Sequence, residues 1–254
     1  MDFADLALLL LVAAAAGWVD AVVGGGGLLQ IPALMLAMPN LPVAAALGTN
    51  KLAAITGTTT AAITFARRTK LDWRFLSGAA GLAVVCSGLG ALSASEVPVG
   101  YFRPVVMVML LLVAVFVVTR PQFGTVQQDA VVTRMRRLAA LLLAGVVIGF
   151  YDGVLGPGTG TFLIFAFIGL LQQDFVHGSA MAKVVNAGTN LGALLVFAAQ
   201  GHVVWLVGLA MAVLNILGAR LGAATALKRG SGFVRVVLLV VVTAMVGKLA
   251  LDQW

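Results

Sequence analysis

"DAVVGGGGLLQIPA", residues 20–33, sets an acid and four consecutive glycines before a short apolar run, in a chain that is otherwise rich in hydrocarbon side chains. Glycine in a helix interior costs roughly 0.5–1 kcal/mol relative to alanine, so Gly24, Gly25, Gly26 and Gly27 break any helix that reaches them. In lipid the backbone groups freed by such a break need partners inside the protein or in a water-filled cavity. The stretch therefore reads as a helix broken within a membrane bundle, with Asp20 beside the break.

The rest of the chain supports that setting. Of its 254 residues, 61% are hydrophobic and 10% charged, with a mean hydropathy of +1.09. Soluble domains carry about 25% charged residues. Apolar runs near the roughly 20 residues that cross a hydrocarbon core recur along the chain. The fold class is an all-α polytopic membrane protein. A net charge of +7 could suggest nucleic acid as partner. The basic residues instead cluster in short loops: Arg67, Arg68, Lys70 and Arg74; Arg120, Arg134, Arg136 and Arg137; Lys228, Arg229 and Arg235. That distribution follows the positive-inside rule and makes these loops cytoplasmic. No nucleic-acid partner is expected. Cys86 is the single cysteine, which leaves no disulfide framework and no cysteine metal site. The N-terminal "MDFADLALLLL" lacks a basic n-region and is expected to be retained as the first membrane segment.

The opening stretch has a counterpart, "GFYDGVLGPGTGTFLI" at 149–164, and a single gapless offset superposes the two halves of the chain. The offset is 132 residues, the separation of Lys51 from Lys183. It also aligns Asp20 with Asp152, Gly24 with Gly156, Gly26 with Gly158, Trp73 with Trp205 and Gly90 with Gly222. Each half shows five apolar segments, near 5–23, 28–38, 42–66, 75–95 and 102–119, then 138–155, 160–171, 174–200, 203–227 and 233–250. The domain plan is a first repeat over 1–119, a cytoplasmic linker over 120–137 and a second repeat over 138–254. The loop at 67–74 has four basic residues and its counterpart near 199–206 has none. Equivalent loops are thus expected on opposite sides of the membrane, an inverted-topology repeat with both termini outside. Folds of that kind bind substrate near the midplane, where broken helices of the two halves meet.

Lys51 and Lys183 each fall about nine residues into a helix, roughly 13 Å deep in a core about 30 Å thick. Ionisable residues at that depth are functional candidates. They read as ligands for an anion, as halves of buried ion pairs with Asp20 and Asp152, or as both. Thr49, Asn50 and the threonines at 56 and 58–60 crowd around Lys51, although threonine often bonds its own helix. Lys183, Asn186 and Asn190 share one face of their helix. The backbone amides of Gly24–Gly27 and of Gly156, Gly158, Thr159 and Gly160 are expected to face an anion from two helix starts. Asp20 and Asp152 are candidates for carrying a proton or for positioning the lysines. His177 and His202 lie at segment ends without metal-ligand spacing, and no catalytic set or cofactor motif is evident.

At these residues the chain resembles the TauE/SafE family of sulfite exporters and sulfonate-related permeases. The pieces that carry the resemblance are "DAVVGGGGLLQIPAL", "ALGTNKL", "GFYDGVLGPGTG", "AKVVNAGTNLGALLVF" and "GHVVW". It implies a secondary transporter of small sulfur-containing or organic anions in a bacterial inner membrane, with no enzymatic activity. The expected partners are a small anionic substrate and the bilayer, with the chain acting as a monomer or a homodimer. An anion channel, or a cation or metal transporter using Asp20 and Asp152 as ligands, are the alternative readings.

Overall fold

The computed structural model describes residues 3–94, 115, 119, 123–124 and 132–251. Most of the fifth apolar segment expected at 102–119 and most of the linker at 120–137 lie outside the described residues. Among the described residues every regular element is a helix. α1 (Phe3–Val23) and α2 (Gly27–Ala37) flank the first glycine break, and α3 (Val43–Ala66) and α4 (Trp73–Ser93) follow. In the second half α5 (Arg134–Val154) contains a π-helical turn at Leu143–Val147. α6 (Thr159–Leu171), α7 (Phe175–Ala199) and α8 (Trp205–Leu251) complete the chain. The two segments expected at 203–227 and 233–250 both fall in α8, as two helices that meet at a kink where Gly230 takes the non-helical φ 74° and ψ −175°.

Local chemistry sets the starts of these helices. The side chains of Asp72, Thr133 and Asp174 accept hydrogen bonds from the N–H groups of Phe75, Arg136 and His177, capping α4, α5 and α7. α1, α4, α5, α7 and α8 are long and apolar enough to cross a membrane. α2 and α6 have 11 and 13 residues, about 16 and 20 Å of helix. That is shorter than a hydrocarbon core of about 30 Å. α3 has span length at 24 residues, but its apolar character is diluted by the polar run from Thr49 to Thr60.

The element boundaries repeat with the sequence. α2, α3 and α4 begin 132 residues before α6, α7 and α8 (the separation that also relates Thr58 to Asn190). The packing is reciprocal as well: α1 lies on α8 as α5 lies on α4, α3 lies on α8 as α7 lies on α4, and α3 and α7 face each other. Gly90 abuts the Phe150 carbonyl, and its counterpart Gly222 abuts the carbonyl of Trp18, the counterpart of Phe150. Close backbone approach of this kind requires a residue without a side chain. Thr58 and Asn190, which the 132-residue offset aligns, touch at 3.5 Å.

The three basic clusters that the structure describes gather at one end. Arg137 pairs with Asp72, and Val176 N–H donates to Ser231 Oγ beside the Gly230 kink. Lys70, Arg137 and His177 share a cavity of about 450 Å³. At the opposite end Gly48, near the start of α3, lies against the His202 carbonyl. α3 and α7 therefore run in opposite directions between the basic end and the end that holds Gly48 and His202. Phe75, Phe167 and Phe175 anchor the largest apolar cluster, with Phe75 and Phe167 edge to face at 6.2 Å.

Candidate functional site

The two glycine breaks meet in the middle of the molecule. Gly24 and Gly156 hold φ of 85° and 86°, a left-handed conformation that side chains resist. A methyl group on Gly24 would collide with the backbone of Gly160 and Thr161, and Gly27 lies beside Pro157. The carbonyls freed at the end of α1 are satisfied from the other half. Val22 O accepts from Ser179 Oγ at 3.3 Å and Val23 O from Thr161 Oγ1 at 2.8 Å. In the second break Tyr151 Oη donates to Pro157 O at 2.7 Å and Thr159 Oγ1 to Gly156 O at 2.8 Å. These bonds keep irregular backbone tolerable at membrane depth.

The amides at the helix starts are less free than the sequence suggests. Gly26 N–H donates to Asp20 Oδ1 at 3.4 Å. The N–H groups of Leu28, Leu29 and Gln30 turn back onto the Gly25 and Gly26 carbonyls, as those of Thr159 and Phe162 do onto Gly156 and Gly158. In this conformation the short helices close much of their own first turn.

The lysines pair across the halves. Lys51 Nζ donates to Asp152 Oδ2 at 2.6 Å, with both side chains 2% exposed. Lys183 Nζ donates to Asp20 Oδ2 at 3.0 Å, with the lysine fully buried and the aspartate 15% exposed. Each pair joins α3 or α7 to the helix before the opposite break, so the two bridges are one arrangement used twice. A buried charge left without its partner costs about 3–5 kcal/mol, which makes these four residues a clamp between the halves. Formally the quartet is neutral. Lys51 Nζ also lies against Gly156, where a methyl group would stand 3.3 Å from it.

The neighbouring polar residues divide into those with partners and one with capacity left over. Asn186 Oδ1 accepts from Thr189 Oγ1 at 3.0 Å and from Asn190 Nδ2 at 3.4 Å. Asn190 Nδ2 reaches Thr58 Oγ1 at 3.5 Å. Thr49 is turned elsewhere: its hydroxyl donates to Ala45 O and accepts from Val204 N–H at 3.0 Å, pinning the α7–α8 connection to α3. Thr56, Thr58, Thr60 and Thr64 all bond carbonyls of their own helix, as expected of threonine in an apolar helix. Asn50 is 4% exposed and its Oδ1 has no hydrogen-bond partner. Its Nδ2 faces Gly27, so this amide sits at the first break beside Lys51.

Three polar residues escaped the sequence reading. Gln30 in α2 is 1% exposed with Oε1 unpartnered. Asn215 in α8 donates to Ala13 O at 3.2 Å and packs its oxygen on Gly57. Ser87 Oγ donates to Thr189 O at 2.7 Å, tying α4 to α7. A lone amide in an otherwise apolar segment, as in "GLLQIPALM" or "AVLNILG", is the signal that marks the first two.

Comparison with known proteins adds the family context. The family described as sulfite exporter TauE/SafE matches residues 9–249. A probable membrane transporter protein, YfcA, of Escherichia coli (strain K12) is 36% identical over 248 residues, covering 98% of this chain and 90% of that protein. The probable membrane transporter protein ORF9 of a Sinorhizobium species is 35% identical over 252 residues, 99% and 95% of the two chains. A probable membrane transporter protein of Haemophilus influenzae is 35% identical over 251 residues, 98% and 95%. No solved structure matches the chain.

Proposed function

The chain belongs to the TauE/SafE family, and from that premise we propose that it is a secondary transporter of small sulfur-containing or organic oxyanions, such as sulfite and sulfoacetate. It would work by alternating access across a bacterial inner membrane, with its halves inverted and both termini outside. The observation that carries this reading is the pair of cross-half bridges, Lys51 with Asp152 and Lys183 with Asp20. They place two cations between the halves, next to both glycine breaks, where a rocking motion opens the site to one side and then the other.

Charge accounting gives the mechanism its coupling. The quartet is neutral as it stands, and an anion added to a neutral, desolvated site is strongly disfavoured. A proton taken by Asp152 or Asp20 releases the paired lysine to the anion and restores neutrality. On the Lys51 side the anion would meet the Asn50 amide and the Gly156–Gly160 loop. On the Lys183 side it would meet Gly24–Gly27, with Asn186 and Asn190 along the same helix face. Substrate and proton then move together, and the cycle is electroneutral for a monoanion.

Flux into proteoliposomes tests this directly. Sulfite and a panel of sulfonates are offered with and without a pH gradient, to the wild type and to the Lys51→Met and Asp152→Asn variants. Saturable uptake driven by the gradient is expected of the wild type. Lys51→Met loses uptake, and Asp152→Asn, which leaves Asp20 as the remaining proton acceptor, responds more weakly to the gradient. Gradient-independent flux in the wild type would remove the proton from the mechanism, and unitary current steps would make the protein a channel.

A further inference from the structure

A second anionic ligand is written into the basic end of α4 and α5, away from the central lysines. Arg74, Arg134 and Arg137 line one open groove of about 470 Å³ between the starts of these two helices, and Phe75, Leu138 and Leu141 form its apolar wall. Among the described residues the carboxylate paired with these arginines is that of Asp72, which bonds Arg137. The Phe75 N–H and Arg137 hold that carboxyl below the usual carboxylate range, so it stays charged. Arg137 also stacks over the Phe75 ring at 5.4 Å, which fixes its guanidinium at the groove head. Arg74 and Arg134 supply the excess positive charge.

Below the arginines the groove continues as an apolar track. On α5, Arg134, Leu138 and Leu141 are spaced i, i+4, i+7; on α4, Arg74, Gly78 and Gly81 repeat that spacing. Gly78 has only Leu141 nearby, and Gly81 has nothing within 4 Å of where its side chain would start. The helices close again where Gly145 meets Leu82 and the Ala79 carbonyl. Arg134 to Gly145 is eleven residues of helix, about 16 Å, a length that takes much of an acyl chain. Leu138 is 50% exposed and Met135 74%, which leaves this face open to the bilayer.

We propose that the α4–α5 groove is a binding site for one phospholipid with an anionic headgroup, its phosphate on Arg74, Arg134 and Arg137 and an acyl chain on the Gly78–Gly81 track. Basic pockets between membrane helices recognise headgroups by this chemistry. The site is independent of which anion is transported.

The test is native mass spectrometry and thermal unfolding of the whole chain, purified in neutral detergent and titrated with phosphatidylglycerol, phosphatidylcholine or inorganic phosphate. Phosphatidylglycerol is expected to bind and raise the melting temperature, with the other two well behind. An Arg74→Gln/Arg134→Gln variant loses roughly thirtyfold in phosphatidylglycerol affinity, by about 1 kcal/mol per arginine. Arg67→Gln/Arg68→Gln, equal in charge removed but outside the groove, retains it. Gly81→Leu fills the track and weakens the lipid without changing charge. Equal losses in both arginine pairs would reduce the effect to general surface charge and overturn the site. So would an equal response to free phosphate, which would leave the acyl track without a role.

Discussion

Lys51 and Asp152 illustrate how two costly residues stabilise each other. Neither is tolerable alone at 2% exposure, because an isolated buried charge has neither water nor partner. Lys51→Met is therefore expected to destabilise the protein by about 3–5 kcal/mol, chiefly by stranding Asp152. Lys51→Met combined with Asp152→Asn removes both charges and recovers part of that loss. Thermal unfolding in detergent reads the cycle, and a double variant no more stable than the single one would show that the pair is not coupled. The depth of the two lysines follows from counting along the sequence, since both are the ninth residue of their helix. Their partners do not, because an aspartate preceding either break is equally eligible until the helices are placed.

The glycine breaks are legible as elements for the same reason that they exist: four glycines, or Gly-Pro-Gly, cannot extend an apolar helix. What the sequence does not reveal is that the breaks rest on each other. Gly24→Ala would combine a strained positive φ with a collision against Gly160. Gly201 also has a positive φ, 74°, but nothing within 4 Å. Gly201→Ala should cost only the left-handed penalty of about 1–2 kcal/mol. Gly24→Ala should cost clearly more, or prevent folding. Expression level and melting temperature of the two variants compare them, and equal effects would mean that the breaks yield more easily than the packing implies. Threonine-rich α3 shows the converse, since its hydroxyls look like a polar site in sequence and mostly bond their own helix.

Across the molecule, reciprocal packing and the gathering of basic loops at one end support an inverted pair of halves. Accessibility decides it. In a Cys86→Ser background, single cysteines replace Arg68 at the basic end and Gln200 at the other end, both exposed. A membrane-impermeant thiol reagent applied to intact cells should label the cysteine at 200 and spare that at 68 until the membrane is opened. Labelling of both from outside, or of 68 alone, would reverse or abolish the proposed orientation.

Periodicity and composition suffice for the membrane class, the helix order and the 132-residue repeat, because each depends on local rules: hydropathy over a span, glycine and proline at a break, capping side chains at a start. Which groups satisfy one another is a long-range question. The crossing of the ion pairs, Val22 and Val23 bonded to Ser179 and Thr161, and the turning of Thr49 to Val204 join residues more than 100 positions apart. Only the packed bundle decides them. In a desolvated interior every charge and freed carbonyl must find a partner, and the halves supply each other's.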